Sequence, residues 1–257
     1  ELVRKKLKWK HEPFKIPKEI LSEWQKIGER GTSREEKWIK TYNKKNKKIK
    51  DEFSRVFNDE LPKNFDKAIF KLKEKIFKEK HAVASRKSSE LVLEEIVKEI
   101  PELIGGSADL SGSNNTITSN SKDIKPSNFN GNYIRYGVRE HGMSGAMNGM
   151  ALHGGVIPYG GTFLIFSDYC KPAIRLSSFM GVKVIYVLSH DSIGLGEDGP
   201  THQPIEQLVA LRGIPNLNVF RPADTIETLE CWEIALKSSN NPSVIVLSRQ
   251  KLPFITE

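Results

Sequence analysis

From about Leu61 onward, apolar runs of strand length alternate with segments of helical periodicity, and this alternation limits the possible folds more than any other feature. The six apolar runs lie at Leu103–Ile104, Tyr133–Val138, Val156–Tyr159, Val182–Leu188, Leu217–Arg221 and Ser243–Leu247. Helical patterns lie at Asn64–Lys80, Lys87–Glu99, Glu140–Leu152, Tyr169–Met180, Glu206–Ala210 and Thr225–Ser238. Such alternation predicts an α/β fold, with a mostly parallel six-stranded sheet covered by helices on both faces.

The first third of the chain differs in charge and pattern. Residues 1–80 contain 25 Lys and Arg against 14 Asp and Glu, whereas the rest is slightly acidic. Lys18–Glu29 and Ser33–Phe57 have amphipathic helical periodicity, with four aromatic residues as predicted core contacts: Trp24, Trp38, Phe53 and Phe57. Because no aromatic stacking platform or base-reading motif accompanies the lysines, we expect a solvated basic face and no nucleic-acid partner. We predict a helical interdomain linker or arm over residues 1–60 and one domain over residues 61–257.

Other features limit the compartment and the class of protein. No apolar run approaches membrane-spanning length, and the first residues lack the apolar region of a signal peptide. Cys170 and Cys231 have no metal-ligand spacing, so we predict buried apolar thiols in a reducing compartment and no metal site. We expect a cytoplasmic protein without a membrane partner. The absence of an initiator Met suggests a fragment of a longer protein.

The segment His190–Pro204 follows the predicted buried strand Val182–Leu188 and holds two histidines, several acids and three glycines. Its few apolar residues cannot form a helix or strand face, so a loop is expected. Open α/β sheets bind ligands at the carboxyl ends of their strands, which favours a functional loop. A solvated, glycine-rich surface loop is the alternative interpretation.

Two further clusters follow predicted strands. Glu140 opens a helix rich in Gly, Met and Ala, where a first-turn carboxylate is stabilised by the helix dipole whether or not it has a function. Phe163, Phe166 and Tyr169 follow the pair Gly160–Gly161 at i, i+3 and i+6. That spacing fits an apolar helix face in the core, and it also fits a pocket for a planar ligand ring.

Seven runs of residues, in order, are similar to the central, pyrimidine-binding domain of the transketolase family. They are Ala84–Glu90, Gly105–Leu110, Tyr133–His141, Pro158–Phe163, His190–Pro204, Phe220–Asp224 and Leu247–Gln250. The amino-acid sequence of the His190–Pro204 loop distinguishes transketolases from the related deoxyxylulose-phosphate synthases and ketoacid dehydrogenases. The match to residues 1–60 is weaker and rests mainly on position.

The resemblance implies thiamine diphosphate as cofactor and assigns a role to each candidate residue. Glu140 would hydrogen-bond N1′ of the aminopyrimidine, in a pocket that Phe163, Phe166 and Tyr169 keep dry, with Phe166 stacked on the ring. His190 and His202 would contact oxygens of a sugar phosphate. The remaining roles are hydroxyl recognition by Asp198, phosphate binding by Arg86, Arg249 and Ser113, and shaping of the site entrance by Asp109.

The family holds the diphosphate and its Mg²⁺ or Ca²⁺ in another domain, through a Gly-Asp-Gly run and a later Asn that this chain lacks. In the family's homodimer, the resemblance implies, that domain comes from the partner subunit. We therefore expect a fragment of a pentose phosphate pathway transketolase that is inactive alone. The alternative is a non-catalytic binding subunit that contributes the aminopyrimidine and substrate half-site.

Overall fold

The computed structural model describes all 257 residues, and the chain divides into two compact units, residues 1–52 and 53–257. The first unit contains α1 (Leu2–Lys6), α2 (Lys18–Asn43) and the start of α3 (Lys47–Phe57). The predicted helix break near residues 30–32 is wrong, because Gly28 and Gly31 lie inside the continuous α2. The chain breaks instead before α3, where the Asn46 side chain accepts a hydrogen bond from the Ile49 amide at 3.0 Å. None of the helices has the length and apolar composition that crossing a membrane requires.

The aromatic residues predicted as core contacts in these helices are exposed. Trp24 and Trp38 keep 69% and 53% of their surface, and Phe53 and Phe57 keep 37% and 48%. The rings pair along their own helices instead. Trp38 stacks on Tyr42, with ring centroids 5.2 Å apart, and Phe53 lies 4.5 Å from Phe57. Residues at i and i+4 are neighbours on a helix surface, so an amphipathic aromatic pattern does not by itself require burial.

The second unit is built on a six-stranded, entirely parallel sheet, which confirms the predicted fold class. Its strands are β1 (Leu103–Ser107), β2 (Tyr133–Arg135), β3 (Ile157–Phe163), β4 (Ile185–Ser189), β5 (Asn218–Phe220) and β6 (Ser243–Leu247). They are ordered β2-β1-β3-β4-β6-β5, with every neighbouring pair parallel. All carboxyl ends therefore lie at one edge of the sheet.

Helices cover both faces of this sheet, as predicted. One apolar cluster contains side chains of α4 (Phe65–Glu79), α5 (Ser85–Glu99) and α10 (Thr225–Lys237). The opposite cluster contains side chains of α7 (Glu140–His153), α8 (Ser167–Met180) and α9 (Gln207–Arg212), and the short α6 spans Ser111–Asn114. Along β4, Ile185 and Val187 belong to the first cluster and Tyr186 and Leu188 to the second, as the period of two in a strand requires.

The pair Gly160–Gly161 lies inside β3 and not at its end, which corrects the sequence interpretation. A Cβ on Gly160 would come within 2.6 Å of the Met147 sulfur of α7. A Cβ on Gly161 would come within 2.5 Å of a Thr116 methyl group. The glycines therefore allow β3 to approach both neighbours closely. Phe163 ends this strand and Phe166 precedes α8, so the three aromatic residues do not share a helix face.

Asp224 caps α10 and also holds a later segment of the chain. One carboxylate oxygen accepts a hydrogen bond from the Glu227 amide at 3.0 Å. The other accepts from the Ile255 and Thr256 amides and from the Thr256 hydroxyl, at 3.1, 2.8 and 2.7 Å. Burial raises the pKa of this carboxyl, but the hydrogen bonds from Glu227, Thr256 and Ile255 outweigh burial and keep its pKa below the usual range.

We expect Asp224→Ala to lower the free energy of unfolding by about 1–2 kcal/mol at pH 7. Because the pKa of Asp224 is lower in the folded than in the unfolded chain, its ionised form stabilises the fold fully when the pH is above the unfolded pKa. This stabilisation disappears as the pH falls through the folded pKa. The difference between the variant and the wild type should therefore shrink at about pH 3. Urea unfolding at both pH values measures it. Asp224→Asn should keep the cap while losing the pH dependence, and an equal alanine effect at both pH values would contradict the assignment.

Candidate functional site

Four segments bring candidate residues to the carboxyl edge of the sheet. Phe163 ends β3, His190 directly follows β4, Arg249 follows β6, and Arg86 lies in the first turn of α5. The backbone joins two of these segments, because the Arg86 amide donates to the Ser248 carbonyl at 3.3 Å. A parallel sheet thus gathers residues that are more than 160 positions apart in sequence at the edge where such folds bind ligands.

His190 is the most constrained residue of this cluster. Its ring stacks on Phe163, with centroids 3.7 Å apart and planes at 26°. Its Nδ1 lies 3.0 Å from the Ser189 hydroxyl, and its backbone has a left-handed φ of 61°. Burial and the charges of Arg86 and Arg249 together lower the pKa of His190 to about 4, against the opposing charge of Asp198. The imidazole is therefore neutral near pH 7.

The second histidine of the loop closes the same aromatic cluster. His202 meets Phe163 and Phe166 edge-on, with centroids 6.0 and 5.3 Å away. Phe163 and Phe166 are nearly parallel, 5.5 Å apart, and Tyr169 lies 6.0 Å from Phe166. Phe163 is buried, Phe166 is half-buried and Tyr169 is exposed. The three predicted pocket aromatics thus form one cluster whose exposure increases from Phe163 to Tyr169, and His190 covers its Phe163 end.

Two guanidinium groups give this edge a positive charge. Arg86 donates to the Ser113 carbonyl and Arg249 to the Leu195 carbonyl. Burial lowers the pKa of Arg86, and the charge of Arg249 lowers it further, whereas Asp198 opposes both effects. The two cations therefore lie within electrostatic range of each other, and a dianion such as a phosphate would relieve their repulsion. Ser113 contacts Arg86 through its backbone carbonyl, and its role in phosphate binding stays a prediction.

Glu140 begins α7 and is a buried carboxylate without a cationic partner. The residue is 7% exposed. Its carboxylate accepts one side-chain hydrogen bond, a long one of 3.5 Å from the Thr162 hydroxyl. The amino end of α7 stabilises its charge. Thr162 lies near the end of β3, so the carboxylate lies at the same sheet edge as the aromatic cluster. A buried acceptor with unused lone pairs fits the N–H of a planar heterocycle.

Asp109 is separate from this cluster. It follows β1 with a left-handed φ of 64°, is exposed, and contributes to the raised pKa of Arg135. No hydrogen bond joins it to the histidines or to the two arginines, so its predicted role at the entrance stays a prediction.

Sequence reasoning missed the residues that hold the loop in place. Asp191, next to His190, is buried and pairs with Arg221 at 2.7 Å, which links the segments that follow β4 and β5, two strands separated in the sheet by β6. The Ser189 hydroxyl contacts His190, and the Thr162 hydroxyl contacts Glu140. Their one available signal was position, because each stands next to a candidate residue at a strand end. Asp191 Oδ1 is sealed from solvent without a hydrogen-bond partner.

Comparisons with known proteins agree on one family. The family profile described as "Transketolase, pyrimidine binding domain" matches residues 81–254, and "Transketolase, thiamine diphosphate binding domain" matches residues 1–62, where we predicted a linker. A curated relative, the transketolase of Sinorhizobium medicae, is 54% identical over an alignment of 258 positions, which covers 98% of this chain and 36% of that protein. The chain therefore spans about a third of the length of this relative.

Two solved structures extend the comparison. Pichia stipitis transketolase in complex with sedoheptulose 7-phosphate superposes with a TM-score of 0.83 at 41% identity, over 94% of this chain and 36% of that one. A split-gene transketolase, described as an inactive beta4 tetramer, gives a TM-score of 0.55 at 28% identity, over 68% of this chain and 54% of that one.

Proposed function

This chain belongs to the transketolase family, and we propose that it supplies the aminopyrimidine and substrate half of a thiamine diphosphate-dependent site. The site transfers a two-carbon ketol unit between sugar phosphates. The observation that carries this proposal is the buried carboxylate of Glu140, which has no cationic partner, at the same sheet edge as a cluster of aromatic rings, histidines and arginines.

Thiamine diphosphate, when bound, supplies a weakly acidic carbon whose deprotonated form attacks the donor ketone. Glu140 holds a proton at N1′ of the aminopyrimidine and so favours the tautomer whose exocyclic nitrogen accepts the carbon's proton. Its environment supports this role, because no cation competes for the carboxylate and little water reaches it. Phe166 and Tyr169 provide apolar surface for the aminopyrimidine ring, while Phe163 mainly provides the ring on which His190 stacks.

The sugar phosphate is bound by the groups around His190. The neutral ring of His190 hydrogen-bonds a substrate oxygen, as does His202, and exposed Asp198 selects among hydroxyl configurations. Arg86 and Arg249 bind the phosphate after exchanging their present carbonyl contacts for its oxygens, assisted by Ser113. The complex of the Pichia stipitis relative with a sugar phosphate supports this substrate class.

We assign the diphosphate and its Mg²⁺ or Ca²⁺ to another domain. No group of three or more His, Cys, Asp or Glu side chains in this chain could hold a metal ion, so the donor set does not fit one. A second subunit of the longer protein would bring that domain to this site in a homodimer. Exposed apolar side chains on α8 support such an interface, with Phe179 82% and Leu176 49% exposed. The proposed setting is the pentose phosphate pathway of the cytoplasm.

A second candidate function is a binding subunit without turnover of its own. The split-gene relative described as an inactive beta4 tetramer favours it, because that protein shares the fold of most of this chain. Both candidates use the same half-site. They differ in whether the cofactor's diphosphate domain is part of the same polypeptide.

We expect the purified 257-residue chain to transfer no ketol groups when thiamine diphosphate, Mg²⁺ and sugar phosphates are added, because it holds no diphosphate or metal ligands. Adding the remaining segments of the Sinorhizobium medicae transketolase as separate polypeptides should restore transfer in a coupled assay. Turnover by the chain alone would contradict the assignment of the diphosphate to another domain. A verified complex of all the pieces without turnover would contradict the proposed function.

A further inference from the structure

The side chain of His190 is held by a hydroxyl that no function yet explains. Ser189 is the last residue of β4, is fully buried, and lies with its Oγ 3.0 Å from His190 Nδ1. The imidazole is also fixed by its stack on Phe163. Two contacts therefore determine the orientation of the ring, but only the hydroxyl can determine which ring nitrogen carries the proton.

The direction of this hydrogen bond follows from the number of protons available. A serine hydroxyl has one proton and two lone pairs, and Ser189 Oγ has no hydrogen-bond partner other than His190. If Nδ1 carried the imidazole proton and donated it to Oγ, the serine proton would be buried without an acceptor. An unsatisfied buried donor is costly. The arrangement that satisfies both groups has Ser189 donating to an unprotonated Nδ1.

The other ring nitrogen then carries the proton of neutral His190. Nε2 makes no hydrogen bond within the chain. The side-chain atoms that lack both a partner and access to solvent are Ser167 Oγ and Asp191 Oδ1, so Nε2 is accessible. It is therefore free to contact a ligand in the site. The charged and titratable groups facing it are Arg86 from α5, Arg249 after β6, and Asp198 and His202 from the loop. Their balance, with burial, favours the neutral ring.

We propose that Ser189 is a positioning residue that keeps His190 in the Nε2–H tautomer, so that the ring presents a hydrogen-bond donor to an acceptor oxygen of the substrate. The proposal deepens the proposed function and rests on it only for the identity of that oxygen. A phosphate or carbonyl oxygen accepts from such a donor, whereas the opposite tautomer would present a lone pair to the oxygen's own lone pairs. Ser189 would thus act through His190 without touching the substrate.

Nitrogen-15 NMR of the histidine rings tests this in the 257-residue chain itself. The six histidines are labelled, and the His190 signals are assigned with His190→Gln. At pH 7 the wild type should show one neutral tautomer, with the proton on Nε2. In Ser189→Ala the ratio of Nε2–H to Nδ1–H should fall by roughly tenfold, and Ser189→Thr, which keeps the hydroxyl, should restore it.

Ser192→Ala is the matched control, because its hydroxyl accepts from the Gly194 amide and not from His190. It should leave the His190 signals unchanged. A wild-type Nδ1–H tautomer, or an alanine variant with the wild-type ratio, would overturn the proposal. If Ser189→Ala does not fold, the wild-type and threonine spectra still decide it. The readout requires no enzymatic activity, so a failed activity assay and a failed tautomer assignment remain distinguishable.

Discussion

Glu140→Gln should lower kcat for ketol transfer by about 10²–10⁴-fold, with little change in KM for the sugar phosphate. The protein for this measurement is the Sinorhizobium medicae transketolase with this chain in place of the segment it matches. Glutamine preserves the shape of the side chain and can still contact the pyrimidine. It carries no charge, however, and cannot hold the proton that favours the reactive tautomer of the cofactor.

A matched substitution separates this role from a general effect of charge removal. Glu74 is an exposed carboxylate on α4, on the opposite face of the sheet from α7, and Glu74→Gln should leave kcat and KM unchanged. A Glu140→Gln variant with a near-normal rate would remove Glu140 from the proposed role. A large rise in KM alone would assign it to binding rather than to the chemical step.

Breaking the ion pair between Arg55 and Glu102 should have the largest effect on stability, about 3–5 kcal/mol in the free energy of unfolding. The guanidinium of Arg55, on α3, donates to both carboxylate oxygens of Glu102 at 2.7 and 3.0 Å, just before β1. The two side chains are 10% and 5% exposed. Removing Arg55 leaves the Glu102 carboxylate buried without its cation. Urea unfolding of Arg55→Met and Glu102→Leu measures the effect in the 257-residue chain.

The double variant is the control, because replacing both charges by apolar groups leaves no unpaired ion. It should be more stable than either single variant. Lys73→Met provides the exposed comparison. Its ammonium pairs with Glu230 and Glu233 at the surface, and its loss should cost less than about 1 kcal/mol. Single variants at Arg55 or Glu102 with effects as small as that would contradict the importance of the buried pair.

All six strands could be predicted because a strand covered on both faces is a short, continuous apolar run. Their ends could not be predicted as well. Tyr133–Val138 was predicted as a strand, but β2 ends at Arg135, and Val138 is 76% exposed. Gly137 adopts a positive φ of 68° there, which ends the extended backbone. Strand ends depend on neighbouring strands that no local pattern reveals.

The candidate residues of the site could be found from motifs, but the residues that hold them in place could not. The structure brings His190, His202, Phe163, Arg86 and Arg249 to one sheet edge, although their roles remain predictions. The supporting contacts come from small hydroxyl groups and from backbone carbonyls, and every sequence contains many of these. Their function depends on which atoms the fold places within 3.5 Å, which residue spacing does not encode.

The exchange of the cofactor's thiazolium C2 proton with solvent deuterium tests the central claim most directly. We would measure its rate by quenching and proton NMR in the Sinorhizobium medicae transketolase carrying this chain. We expect exchange much faster than in free thiamine diphosphate, and a return toward the free rate in Glu140→Gln. Exchange at the free rate in a folded, cofactor-bound protein, or equally fast exchange in the variant, would contradict the claim that this chain activates the cofactor.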